Sequence, residues 1–178
     1  MTRIILIGYM GAGKTTVGKA LAAALGVTFY DLDWYITMRY RRSVSEIFAE
    51  RGEEGFRDLE RRMLHEVAEF ENIVLSCGGG TPCFFDNMDY MNSLADTIYL
   101  KADPEVLAQH LLMGKGRRPL IEGKSPDELR DYIRQTLVVR EPFYSRAKHT
   151  LDVSLLDTAG KVDQSVQLIL KTLNIEHS

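Results

Sequence analysis

Only two cysteines, Cys77 and Cys83, occur among 178 residues. They suffice for neither a disulfide framework nor a zinc site, so a reducing compartment, and with it a cytoplasmic location, is expected. No apolar run approaches the ~20 residues that a membrane-spanning helix requires. The leader-like stretch Arg3-Ile4-Ile5-Leu6-Ile7 soon meets Lys14, which argues against a signal peptide. Neither sign of charge dominates: 22 Lys and Arg face 25 Asp and Glu, a formal net charge of -3. Nothing global therefore attracts nucleic acid or an anionic membrane, and any anion site must be local. The histidines, His65, His110, His149 and His177, are scattered without ligand spacing and read as structural or solvent-facing. Internal repeats and low-complexity tracts are absent.

What is present is apolar enough, at 45% hydrophobic against 26% charged residues, to bury the core of one domain spanning 1–178. Short apolar runs at Ile4–Ile7, Thr28–Tyr30, Ile73–Leu75, Thr97–Leu100 and Thr150–Val153 lack in/out alternation and are separated by helical periodicity. That is the pattern of an α/β protein with five parallel strands covered on both faces. Helices are expected at Lys14–Leu25, after the Ser43/Glu46 capping box, over Glu53–Phe70, over Glu105–Met113, from the Ser125/Glu128 capping box toward Arg146, and from Lys161 to Leu173. Between Gly114 and Ser125 a basic, glycine-rich segment reads as a mobile lid. The run Arg39, Arg41, Arg42 reads as a solvated face.

Gly8-Tyr9-Met10-Gly11-Ala12-Gly13-Lys14-Thr15 fits G-x-x-x-x-G-K-[ST], directly after the first strand and opening the first helix. Here the glycines let successive N–H groups face one anion at a helix N-terminus. Lys14 reaches the outer phosphates and the Thr15 hydroxyl is a magnesium ligand. Nucleotide binding follows; the class of nucleotide enzyme does not. Asp157-Thr158-Ala159-Gly160 spells the D-x-x-G of regulatory GTPases, yet only 18 residues follow it and no N-K-x-D occurs anywhere. It reads as a turn before the last helix.

The remaining chemistry-bearing residues follow the strands. Asp31 and Asp33, read at the end of the second strand, project to one side over the carboxyl edge of the sheet, where ligands bind. One carboxylate can hold a metal-bound water and the other can accept a proton or orient a hydroxyl; a helix cap into Trp34–Met38 is the competing reading. Arg57 and Glu60, at i,i+3, form either a pre-oriented arginine for a carboxylate or phosphate, or an ordinary surface pair. Ser76-Cys77-Gly78-Gly79-Gly80 follows the third strand and invites close approach of a ligand to the backbone, with Ser76 able to hold magnesium through water. Arg117-Arg118-Pro119-Leu120 in the lid can close a guanidinium over phosphates, and Arg140, ahead of Pro142 and Tyr144, offers a second cation to an anionic acceptor.

In this succession the phosphate loop, D-x-D, G-E-x-x-F-R-x-x-E, G-G-G, R-P-L and R-x-P-x-Y-x-x-A resemble the shikimate kinase family of P-loop kinases, from Arg3 to Ala147 and on toward the last helix. The resemblance implies transfer of the ATP γ-phosphate to the 3-hydroxyl of shikimate, with Mg²⁺. It implies a three-layer fold with strand order 2-3-1-4-5, an acceptor-binding helical subdomain near residues 34–60 and a lid near 114–124. Carried over by position, Gly11, Ala12, Gly13, Lys14, Thr15 and Thr16 bind ATP, with Lys14 on the transferring phosphoryl group. Thr15 holds Mg²⁺, and Asp31 assists through water. Asp33 orients the shikimate hydroxyls or acts as base. Arg57, Gly79 and Arg140 hold shikimate, Glu60 orients Arg57, and Arg118 faces ATP. Adenine contacts after Ala147 are not assigned.

The expected partners are thus shikimate and ATP, without nucleic acid or membrane, in a protein taken by default as a monomer. The rival readings are another P-loop metabolite kinase, acting on gluconate or a nucleoside monophosphate, and a non-catalytic nucleotide sensor. Cys77 and Cys83 read as core or near-site thiols without catalytic duty. Trp34, beside Asp33, packs by default and is expected to report acceptor binding by its fluorescence.

Overall fold

A computed structural model describes residues 1–114, 121–154 and 160–175. Five strands, β1 (Arg3–Ile7), β2 (Thr28–Asp31), β3 (Ile73–Ser76), β4 (Asp96–Lys101) and β5 (His149–Asp152), form one sheet in the order β2-β3-β1-β4-β5. All four pairings are parallel. β1 and β3 lie at the centre and are apolar almost throughout, because both faces are covered and no position is left to alternate toward water. The helices among the described residues are α1 (Lys14–Leu25), α2 (Leu32–Tyr40), α3 (Val44–Ala68), α4 (Asn87–Leu94), α5 (Pro104–Met113), α6 (Pro126–Tyr144) and α7 (Lys161–Thr172), with a 3₁₀ turn at Thr81–Cys83.

The five strands, their implied order and α1 agree with expectation. Both capping boxes form: Ser43 with Glu46 starts α3, and Ser125 with Glu128 starts α6. Three details differ. Helix α3 begins at Val44 and runs to Ala68 through a break at Gly52, whose φ of 69° lies outside the helical region; the expected separate helix from Glu53 is its second arm. The short helix α4 had no clear periodicity to announce it, and α2 stands where the helix cap into Trp34–Met38 was the competing reading of D-x-D. Asp33 does not lie on the second strand: β2 ends at Asp31, and Asp33 sits in the first turn of α2.

The register at the carboxyl edge positions the site. Asp31 pairs with Ser76 and Leu6 with Ser76, so the residues that follow β1, β2 and β3 emerge side by side. These are the phosphate loop, the Asp31–Asp33 turn and the three glycines. Among the described residues no helix is long and apolar enough to cross a membrane. Arg39, Arg41 and Arg42 are exposed, with Arg39 facing Glu66 and Arg42 paired with Glu50, as a solvated face should be.

Candidate active site

An open cleft of about 660 Å³ lies over the carboxyl edge of the sheet, lined by the loop Met10–Thr16, Asp31, Asp33 and Ser76–Gly79 among others. Gly13 caps α1 in the left-handed region, with φ 94°, a conformation that suits glycine and turns the first helical N–H groups toward the cleft. The Lys14 ammonium donates to the carbonyls of Gly8 and Tyr9, each at 2.8 Å, and so arches back over its own loop. Loss of hydration in this enclosed position lowers its pKa to about 8, against the opposing pull of Asp33.

Asp31 satisfies both readings of the D-x-D pattern. One carboxylate oxygen caps α2 by accepting from the Trp34 N–H at 3.1 Å, and the other accepts from the Thr15 hydroxyl at 3.1 Å. Two hard oxygen groups therefore meet at the mouth of the phosphate loop. No cluster of three or more His, Cys, Asp or Glu side chains suited to a metal exists among the described residues. This donor set fits Mg²⁺, which keeps waters and phosphate oxygens as most of its ligands. Asp33 has its pKa raised to about 6, chiefly by loss of hydration and further by Asp31 and Glu60, with Lys14 and Arg57 opposing. Ser76 is buried at the end of β3 and lines the same cleft.

The three glycines arrange the acceptor side. A Cβ at Gly78 would stand 3.3 Å from an Asp33 carboxylate oxygen, one at Gly79 would stand 3.1 Å from Nη1 of Arg140, and one at Gly80 would stand 2.5 Å from Nη2 of Arg57. Successive bare backbone units thus each seat one polar side chain, drawn from α2, α6 and α3 in turn. The Tyr144 hydroxyl fixes this strip by donating to the Gly79 carbonyl at 2.5 Å. Arg57 donates from Nη1 to Glu60 at 2.8 Å, and the other Glu60 oxygen accepts from the Thr81 hydroxyl at 2.6 Å.

Lys14, Thr15, Asp31, Asp33, Arg57, Gly79 and Arg140 are accordingly brought to one edge of the fold. Arg118 and the rest of the lid stretch 115–120 lie outside the described residues, as does Asp157-Thr158-Ala159. Sequence reasoning assigned no role to several neighbours. Thr81 and Asn87 form a buried polar chain behind Glu60. His110 sits 2.7 Å from the Gly11 carbonyl through Nδ1, and α7 adds Lys161 and Ser165 to the cleft. Their contacts join distant segments, and no local pattern advertises them. Trp34 is 58% exposed, so its expected default packing is not found. Cys77 is buried and Cys83 partly buried, both as free thiols.

Comparison with known proteins gives this arrangement a family. The family model described as shikimate kinase matches residues 10–174. The chain belongs to the shikimate kinase family. A shikimate kinase of Phocaeicola vulgatus is 55% identical over 174 residues, covering 98% of this chain and 99% of that one. The crystal structure of shikimate kinase from Bacteroides thetaiotaomicron superimposes with a TM-score of 0.94 at 52% identity, covering 97% of this chain and 98% of the other. The Acinetobacter baumannii shikimate kinase, solved in complex with shikimate, gives a TM-score of 0.85 at 30% identity over 100% of this chain and 96% of that one. The family's three-layer α/β fold is thus the fold seen here.

Proposed function

We infer that this protein is an ATP-dependent kinase that phosphorylates the 3-hydroxyl of shikimate. The observation that carries the reading is the row Asp33, Arg140 and Arg57 seated on Gly78, Gly79 and Gly80 beside the phosphate-loop lysine. Two guanidinium groups and one carboxylate in such a row suit a compact acceptor that bears both a carboxylate and hydroxyls. Relatives at 52–55% identity are shikimate kinases over nearly their whole length.

In this reading the backbone of Gly11–Thr16 cradles the ATP phosphates, and the Lys14 ammonium, turned from the Gly8 and Tyr9 carbonyls, follows the transferring phosphoryl group. Thr15 would hold Mg²⁺ directly and Asp31 would hold it through water; the ion, when bound, would offset phosphate charge. Ser76 is a further water-mediated support. Arg57 and Arg140 clamp the acceptor carboxylate in charge-assisted hydrogen bonds, with backbone contact at Gly79. That anchor sets the hydroxyl against Asp33, which orients it or takes its proton as the oxygen attacks the γ-phosphorus. Arg118, in the stretch read as a lid, is assigned to offset charge on the phosphates, and residues 34–60 to act as the acceptor-binding subdomain. The protein works as a cytoplasmic monomer without nucleic-acid or membrane partners.

The test is ADP release with Mg²⁺-ATP in the presence of shikimate, gluconate, AMP, CMP or no acceptor. Shikimate-dependent release is expected. Release with another acceptor overturns the substrate, and ATP binding without release under any condition overturns the kinase in favour of a nucleotide sensor.

A further inference from the structure

Arg57 is enclosed by more than its acidic partners. Its side chain is 12% exposed, with Nη1 on Glu60 and the Glu53 carboxylate 3.7 Å from Nε. The buried Nε makes no hydrogen bond among the described residues. Three rings surround the guanidinium: its Cζ lies 4.2 Å from the centroid of Phe84, 5.3 Å from that of Phe56 and 5.7 Å from that of Phe48. Phe48 and Phe56 stack on each other at 4.2 Å within α3. Phe84 is different, since it comes from beyond the glycine strip, at the end of the 3₁₀ turn, and makes the closest approach.

The segment that carries Phe84 is fastened to the same helix that carries Arg57. One turn along α3, Arg61 binds the Asp86 carboxylate at 2.8 Å and lies over the Phe85 ring at 5.2 Å. On the other side, Asn87 donates to the Thr81 carbonyl at 2.8 Å while Thr81 donates to Glu60. Phe84 is therefore held at both ends. A ring face attracts a guanidinium through its quadrupole and consumes none of the N–H donors, whereas the Glu60 carboxylate takes one. An arginine meant to present a fork to an incoming anion is best fixed by such a contact.

We propose that Phe84 is a positioning residue of the acceptor site, holding the Arg57 guanidinium in place while leaving its N–H groups for the acceptor's carboxylate. The proposal rests on shikimate as the acceptor. It is tested by steady-state kinetics of the full chain and of Phe84→Leu, Phe84→Tyr and Arg57→Lys, with Mg²⁺-ATP and varied shikimate. Phe84→Leu is expected to raise the shikimate KM ~3- to 30-fold, with kcat and the ATP KM changed less than about twofold. Phe84→Tyr restores the KM, and in the Arg57→Lys background the loss from Phe84→Leu shrinks. An unchanged KM, a failure of tyrosine to rescue, an equal loss in both backgrounds, or a parallel rise in the ATP KM overturns the proposal. If the unaltered enzyme turns over shikimate and these results fail, only Phe84's role falls. If it releases no ADP with shikimate, the acceptor reading falls and Phe84's role with it.

Discussion

Nη1 of Arg57 lies 2.8 Å from Oε2 of Glu60, whose side chain is 2% exposed. A cation buried to this extent depends on its counter-ion. The i,i+3 spacing brings the two onto one face of α3, but burial makes the pair more than an ordinary surface contact. Thr81 occupies the second Glu60 oxygen, so the carboxylate also ties α3 to the glycine strip.

Glu60→Gln tests this dependence. It keeps an acceptor for Thr81 and removes the charge opposite Arg57. Breaking a buried pair from one side costs ~3 kcal/mol or more, so the urea midpoint should fall clearly, and shikimate should bind more weakly as Arg57 loses its orientation. An unaltered midpoint with unaltered binding would mean that Glu53 and the rings hold Arg57 unaided.

Arg57→Lys should leave ATP binding intact and weaken shikimate. A single ammonium replaces a fork, and the loss of one charge-assisted hydrogen bond costs ~1.5–3 kcal/mol, about ten- to a hundredfold in affinity. Calorimetric titration with each substrate separates the two effects. Equal shikimate affinity in the variant would remove Arg57 from the clamp.

The role proposed for Asp33 predicts an acidic limb for the reaction. Only the ionised carboxylate can take the hydroxyl's proton, and its pKa stands near 6, raised chiefly by loss of hydration and further by Asp31 and Glu60. The kcat/KM for shikimate should therefore fall as pH drops through about 6, and Asp33→Asn should collapse turnover while sparing ATP affinity. Stability runs the other way. A raised folded-state pKa means that protonation favours the fold: the contribution is complete below the ordinary value of 3.8 and is lost as pH rises through about 6. Asp33→Asn should consequently melt above the unaltered protein at neutral pH, with the gap closing between about pH 6 and 4. Normal turnover in the variant would exclude both base and essential orienting roles.

How this site could be read in advance differs from residue to residue. Lys14 and Thr15 belong to a contiguous motif whose spacing is itself the mechanism, and their placement after β1 needed no tertiary information. Asp31 stands at the end of β2 as its pattern predicts, whereas Asp33 reaches the correct edge by a route other than the strand, because the D-x-D spacing alone cannot reveal that the strand stops between them. The backbone turns into α2 with Asp31 as its cap, and Asp33 reaches the cleft from a helix instead. For Arg57 and Arg140 the residue types were legible, but their meeting on neighbouring glycines is a product of how α3 and α6 pack. Phe84 had no signal, since its partner lies 27 positions earlier and ring-on-guanidinium contacts leave no periodic trace. Strand order came from resemblance, because parallel pairings are set by crossovers that periodicity does not record.

Trp34 is the chain's single tryptophan, so its emission reports one place. Its backbone N–H donates to Asp31, and it adjoins Asp33 while its ring is largely exposed. Acceptor binding at Asp33 is expected to shift its intensity or wavelength. A flat trace across saturating shikimate would refute that coupling.

With Lys14 at the ATP phosphates as proposed, ATP binding is expected to be sensitive to alkaline pH. Its pKa near 8 reflects hydration lost in the cleft, and bound polyphosphate would supply the negative charge that restores the proton. The free enzyme loses this charge as pH rises through about 8, so ATP affinity should decline above that value and binding there should draw a proton from solution. Calorimetry in two buffers of different ionisation enthalpy reads the proton directly. Lys14→Met should abolish turnover and also remove the proton uptake, which a general loss of phosphate-loop structure would not distinguish unless circular dichroism and melting remain those of the unaltered chain. Proton uptake that persists in a folded Lys14→Met variant would assign it to another group and leave Lys14 charged throughout.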